Sequence, residues 1–176
     1  AYRVGGETKL AGYTVIEMVW YLAMTETVAL STSRIFIEIS ETVKKGDLVY
    51  TLIRPIRYPY FQVAQSLGNS VSRVGLNLVT ASLVVWIGTG AVAGSSSGFA
   101  AFLVMAALSL ILDALIAVLI GLAAFWLEEV MPIFWIYQKL LFTVGGLFLP
   151  LEFFPRWLRT IANRLPFRYI TNAPAR

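Results

Sequence analysis

The sequence predicts an all-α polytopic membrane protein, a bundle of helices that cross a bilayer. Three observations carry that prediction. Hydrophobic residues make up 58% of the 176 and charged residues only 14%, roughly half the charged share of an ordinary soluble domain. Mean hydropathy is +0.74, so a water-soluble fold would have almost no polar exterior left to show. Finally, no Lys or Arg occurs between Arg73 and Lys139, where the only charges are Asp113, Glu128 and Glu129. The same apolar content excludes a disordered chain.

Taken in order, Thr14-Val15-Ile16-Glu17 has the S/T-x-x-E pattern of a capping box, in which two side chains satisfy each other's free backbone donors. It opens a first span over 14–33, with Glu26 inside. Past Arg34, Ile35, Ile39 and Val43 recur at spacing four, with Glu38, Glu41 and Lys45 on other faces. The membrane helix is therefore expected to run on into water as an amphipathic one. Gly46 is its natural stop. Asp47 can cap a short helix, LVYTLIR, which Arg54-Pro55 ends. Pro59 can start the next long helix, which enters the membrane near Arg73. A second, uncharged span covers 75–93. The small-residue turn GSSSG (94–98) leads to a third, 99–127, longer than the roughly 20 residues a bilayer core requires, so it must tilt or protrude. A fourth, 133–149, lies between Pro132 and Pro150 and contains Lys139.

Beyond it, Phe154, Trp157, Leu158, Ile161 and Leu165 share one helical face, with Arg156, Arg159, Asn163 and Arg164 elsewhere. Pro155 opens this helix and Pro166 closes it. Such a segment, within 151–166, lies in the interface, its arginines snorkelling to headgroups. Residues 1–176 read as a single transmembrane domain. The chain opens on Ala1 and stops at Arg176 in a loop-like run, and is expected to be a fragment of a longer protein.

Orientation follows from basic residues, with one conflict. Residues 34–73 carry six Lys/Arg, while Arg3 and Lys9 precede the first span. That bias makes 34–73 cytoplasmic. The tail falls on the other side, however, and adds Arg156, Arg159, Arg164, Arg168 and Arg176, so the bare count is six against seven. An interfacial helix dipping back from the outer face resolves this, because it carries arginines without being a cytoplasmic loop.

The chemistry is narrowed by two zeros, for the chain has neither histidine nor cysteine. Thiol nucleophiles, disulfides, histidine bases and nearly all zinc, copper, haem and iron–sulfur ligation are excluded, and no metal site is expected. The net charge of +4 sits in flanks between apolar segments, so lipid headgroups rather than nucleic acid are the expected counter-charge. GSSSG matches the G-x-S-x-G nucleophile elbow with Ser96 at its centre. With no histidine to take the serine proton, a small-residue turn is the better reading. No lysine follows a glycine, so the Walker pattern for ATP is absent and any ATPase must be another polypeptide. Gly88, Gly90 and Gly94 offer close helix contact. Trp126, Phe134, Trp135 and Tyr137 read as an interfacial belt.

Three charges sit at expected membrane depth. They are Glu26, Asp113 at the middle of its long span, and Lys139. Each costs about 2.5–3.5 kcal/mol on insertion scales for Asp or Lys, so each is expected to face the bundle interior or water. An Asp113–Lys139 ion pair would neutralise both residues. It would be either a structural pair or part of a polar substrate path or proton relay.

The region 34–60 is the most informative. Helices extending past the membrane, joined by LVYTLIRPIRYP with exposed apolar residues, form a docking surface that needs a partner. The alternative is an amphipathic stretch on the inner leaflet.

GYTVIEMVWYLAMTE from Gly12, GDLVYTLIRPI from Gly46, and the closing block AFW…GGLFLPLEFFPRWLRTIANRLPF resemble permease subunits of ATP-binding-cassette exporters of the type 2 family. The resemblance is most specific over 46–55 and 145–167, where Gly146, Pro150, Pro155 and Pro166 match the spacing. It implies a six-span permease of which this fragment holds four spans. It makes 46–58 the coupling helix, with Leu48, Tyr50, Leu52, Ile53, Arg54 and Arg57 as the ATPase-coupling surface. It also makes 151–166 an extracellular re-entrant segment, and it implies a bacterial plasma membrane location. Two permease subunits would pair with two ABC ATPase subunits that bind ATP and Mg, this chain itself catalysing nothing. Rival readings are an ion-coupled secondary transporter using Asp113 or Glu26, which would show internal repeats and broken helices, and a non-catalytic membrane scaffold.

Overall fold

The computed structural model describes residues 14–53, 55–90, 96–147 and 154–175. All regular structure among them is helical: α1 (Val15–Leu30), α2 (Ile35–Lys45), α3 (Leu48–Leu52), α4 (Tyr58–Thr89), α5 (Ser96–Leu122) with a 3-10 turn at Ala123–Phe125, α6 (Met131–Thr143), α7 (Arg156–Arg164), α8 (Phe167–Ile170) and α9 (Asn172–Ala175).

The start of α1 follows its sequence signal. Glu17 N–H donates to Thr14 Oγ1 (3.3 Å), and Thr14 N–H to Glu17 Oε2 (2.7 Å), closing the expected capping box. The single helix expected through Ser33 and beyond is instead broken at 31–34. Ser31 Oγ donates to the Thr27 carbonyl (2.5 Å) and Thr32 Oγ1 to that of Ala29 (2.9 Å). Consecutive hydroxyls offer the backbone an alternative to helical continuation, and here the chain turns before α2 begins. α2 buries Ile35, Phe36, Ile39 and Ser40 and ends at Gly46 in the left-handed conformation (φ 77°), as its pattern predicted. Asp47 precedes α3 without making a side-chain cap, contrary to expectation. Pro59 and Pro132 stand in the first turns of α4 and α6, where the missing N–H costs nothing.

Two described helices are long and apolar enough to cross a membrane, Tyr58–Thr89 and Ser97–Phe125. At 1.5 Å per residue, α1 with 16 residues rises about 24 Å and α6 with 13 about 20 Å, against a hydrocarbon core of roughly 30 Å. Helix length alone therefore supports two of the four expected spans. Gly88 and Gly90 face open space, and Gly90 closes α4 (φ 64°) instead of seating a neighbouring helix. Gly94 and Ser95 lie outside the described residues, whereas Ser96, Ser97 and Gly98, expected in the GSSSG turn, form the first turn of α5.

At the centre of the bundle is α5, packed against α2, α4, α6, α8 and α9. Its buried side carries small residues, Ala106, Ser109, Ala114 and Ala117, which let helix backbones approach closely. The tightest approach is at Gly121, where an added Cβ would stand 2.8 Å from Ile39 Cβ and 2.9 Å from its Cδ1. Only glycine lets α2 lie this close. Ile35, Ile39, Tyr58, Ala117 and Val118 form one buried cluster. Phe36, Ile120, Val130, Tyr137, Leu141 and Ile170 form another, in which Phe36 stacks on Phe134 with centroids 4.0 Å apart.

Gly121→Ala should therefore lower stability. The crowding penalty of about 1–3 kcal/mol exceeds the roughly 1 kcal/mol that alanine adds in helix propensity. Thermal unfolding in detergent of Gly121→Ala, Ile39→Ala and the double variant checks this. The double should lose less than the two singles together, because Ile39→Ala vacates the space the new methyl needs. Simple additivity would show that the two residues do not meet.

Candidate functional site

Most of the residues expected to form a docking surface are exposed. Gly46 turns the chain out of α2, and α3 with the following residues projects Val49, Tyr50, Leu52, Ile53, Ile56 and Tyr60, each more than half exposed. Such a contiguous apolar patch is unusual on surface that meets only water. Leu48, expected on the contact surface, is half-buried and packs under the patch beside Ile35, Ile39 and Tyr58, so it anchors the elbow. Arg57 is exposed at the start of α4. Arg54 lies outside the described residues.

One ion pair ties the elbow's base to a neighbouring segment and a second lies within α2. Lys44 Nζ reaches Glu129 Oε1 (2.6 Å), linking α2 to the α5–α6 connection, and Lys45 pairs with Glu41 (2.9 Å). The hydrogen bond from Lys45 holds the Glu41 carboxyl below its ordinary range and raises the Lys45 ammonium. Both pairs are solvent-exposed, so they orient more than they stabilise. On α4, Tyr58, Gln62, Ser66 and Ser70 form a buried polar stripe at one-turn spacing. Ser66 Oγ is buried there without a hydrogen-bond partner among the described residues, while the Tyr58 hydroxyl lies against the Gln62 side chain one turn on. A period-four polar series was visible in the sequence and signals a helix face that packs on something other than lipid.

The intramembrane charges do not come together as expected. Asp113 is buried, and its Oδ1 accepts a hydrogen bond from the Tyr137 hydroxyl (2.5 Å). Lys139 lies two residues further on, exposed on α6, and makes no ion pair among the described residues. With Trp135, Ile136, Leu140 and Thr143 it lines a shallow outward groove. The expected Asp113–Lys139 pair is thus absent, because a shift of two residues turns a side chain to the far side of a helix. Of the expected aromatic belt, Trp126 and Trp135 are exposed, whereas Phe134 and Tyr137 are internal.

On α5, Phe102 and Ala106 pack beside Val28, and Ala117 and Val118 beside Ile35 and Ile39. Asp113 falls between these levels, next to the 31–34 break. There Arg73 Nη1 donates to the Thr32 carbonyl (3.3 Å) and Asn77 Nδ2 to Ser31 Oγ (3.0 Å). Asp113 stands near the middle of the Ser97–Phe125 helix. Glu26 is exposed on α1, away from Asp113's buried setting.

A second polar cluster, not foreseen from the sequence, joins α1 to the chain after α6. Tyr21 OH donates to the Gly146 carbonyl (2.7 Å), Thr25 Oγ1 to that of Leu147 (3.2 Å) and Thr171 Oγ1 to that of Gly145 (2.6 Å), while Asn172 Nδ2 donates to Tyr21 OH (2.8 Å). Three consecutive carbonyls just beyond α6, those of Gly145, Gly146 and Leu147, are each satisfied by a hydroxyl. Nothing in the local pattern could announce this, since the partners lie more than a hundred residues apart for three of the four bonds.

Tyr137→Phe should destabilise the protein by about 1–3 kcal/mol, the cost of leaving a buried acceptor unpaired. Lys139→Gln should stay within about 0.5 kcal/mol. Thermal unfolding of the two variants separates the cases, and equal losses would restore Lys139 as a partner of Asp113.

Compared with known protein families, residues 3–176 match the family described as ABC-2 family transporter protein. No curated protein and no solved structure matches significantly.

Proposed function

We propose, from the premise that this chain belongs to the ABC-2 transporter family, that it is the permease of an ATP-driven exporter moved through its elbow by a separate ATPase. Membership makes it a membrane transport component. Export as the direction, four spans here of a six-span whole, and a cytoplasmic elbow in a bacterial plasma membrane are the finer parts of the proposal.

The observation that carries the reading is the exposed apolar elbow, Val49 to Ile56, mounted on a helix pinned to the bundle core at Gly121. A force applied at Tyr50, Leu52, Ile53 and Arg57 passes through Leu48 into α2, and from α2 into α5. Packed helices transmit such motion as rigid elements. ATP and Mg would bind on the partner, since this chain lacks a lysine placed for phosphate. The long α4, 32 residues and therefore roughly 48 Å, suits a span with a cytoplasmic extension. Glu26 and Lys139 are exposed on the outer faces of α1 and α6. A charge at membrane depth is not left facing lipid tails, so these faces suit a second permease with the substrate path between the two subunits. The ion-coupled alternative would rest on Asp113 or Glu26; Asp113 is hydrogen-bonded to Tyr137, and Glu26 is exposed on α1.

Replacing Leu52 and Ile53 together with Glu should leave membrane insertion intact while uncoupling ATP hydrolysis from transport. Reconstituted with its ATPase, the variant should lose at least tenfold of transport, the equivalent of about 1.4 kcal/mol, with ATPase activity retained or unregulated. Transport at the wild-type level would remove the elbow from the coupling path.

A further inference from the structure

α7 has three distinct sectors. Ala162, with Leu158 and Leu165 half-buried beside it, turns toward the protein, against Val144, Leu140 and Phe154. Trp157 and Ile161, one turn apart, are exposed. Arg156, Arg159, Asn163 and Arg164 occupy the remaining exposed face. Arg168 of α8 joins that face, its Nη1 donating to Asn163 Oδ1 (2.5 Å) and its guanidinium lying 5.2 Å from the Tyr169 ring centroid. Its Nε is buried without a hydrogen-bond partner. Residues 154–175 contain no Asp or Glu, and none of the four arginines forms an ion pair among the described residues.

Four like charges gathered on one surface repel one another unless an anion lies among them. The guanidinium fork suits a phosphate. A free phosphate would need only the cationic sector, whereas an exposed tryptophan and isoleucine directly beside that sector suit acyl chains below a headgroup. We propose that this surface of α7, with Arg168 clipped to it, is a binding site for an anionic phospholipid. Its phosphate lies among Arg156, Arg159, Arg164 and Arg168, and its chains lie against Trp157 and Ile161. The site also accounts for the tail's arginines on the side that the basic-residue bias would leave poor in them, because bound headgroups balance the charge locally. It does not depend on how transport is driven.

The test uses the full-length permease in nanodiscs of phosphatidylcholine with or without phosphatidylglycerol, each lipid also supplied brominated on its chains. Quenching of tryptophan fluorescence that disappears in Trp157→Phe reports lipid at this site. Brominated phosphatidylglycerol should quench it several-fold more than brominated phosphatidylcholine, and high salt should abolish the difference. Native mass spectrometry should show co-purified anionic lipid falling about fivefold for each arginine replaced by Gln, which is the roughly 1 kcal/mol a basic residue contributes at an anionic surface. Equal quenching by the two lipids would overturn the proposal in favour of an unselective interfacial helix. Thermal stabilisation by inorganic phosphate in detergent equal to that by phosphatidylglycerol would overturn it in favour of a soluble anion. The quenching experiment leaves the arginines intact, so it holds even where the Gln variants fail to fold.

Discussion

The close seating of α2 on α5 is the constraint on which the other arrangements rest. Glycine at 121 brings Ile39 within what would be clashing distance of any larger residue, and the cluster built there draws in Tyr58 from α4 and Leu48 from the elbow. Three elements meet at one point: the helix that carries the elbow, the helix that leaves it, and the central helix of the bundle. Loosening that contact would disconnect the exposed apolar patch from the membrane helices, whatever became of the patch itself. Close packing makes such a junction stiff, because interiors have few soft degrees of freedom.

Polar contacts, rather than apolar area alone, set how the remaining helices sit. Asp113 is held by Tyr137 and thereby ties α5 to α6. Tyr21, Thr25 and Thr171 cap the carbonyls after α6 and tie it to α1 and α9. In an apolar surrounding an unmet donor or acceptor is costly, so each of these bonds restricts the helices more than a comparable contact in water would. The buried stripe Tyr58, Gln62 and Ser66 stands apart from this pattern, with Ser66 Oγ unpartnered among the described residues. It lies at the base of α4, beside the elbow.

Local signals were legible and distant ones were not. The capping box at Thr14 and Glu17, the stop at Gly46, the prolines opening α4 and α6 and the apolar face of α2 each depend on residues within one or two turns, and each was readable from spacing. The break at Ser31 was missed because amphipathic periodicity continues across it, while the hydroxyls that cause it weigh little in a hydropathy argument. Asp113 was matched to Lys139 on charge alone. Its actual partner is two residues earlier on α6, a difference that depends on how α6 is rotated about its axis. Glu26 and Lys139 are expected to face the bundle interior or water, and which of the two applies follows from packing between helices that the linear sequence does not encode locally.

The central claim is that the elbow is the seat of a partner ATPase. The chain has no cysteine, so Ile53→Cys places a single photo-crosslinker on the exposed patch, and Trp86→Cys places one at the opposite end of α4. In membranes carrying the active transporter, the first should crosslink to the ATPase with a yield that changes when ATP is added, and the second should not. Absence of that crosslink while transport proceeds, or modification of Ile53→Cys by an impermeant thiol reagent on intact cells, would contradict the account.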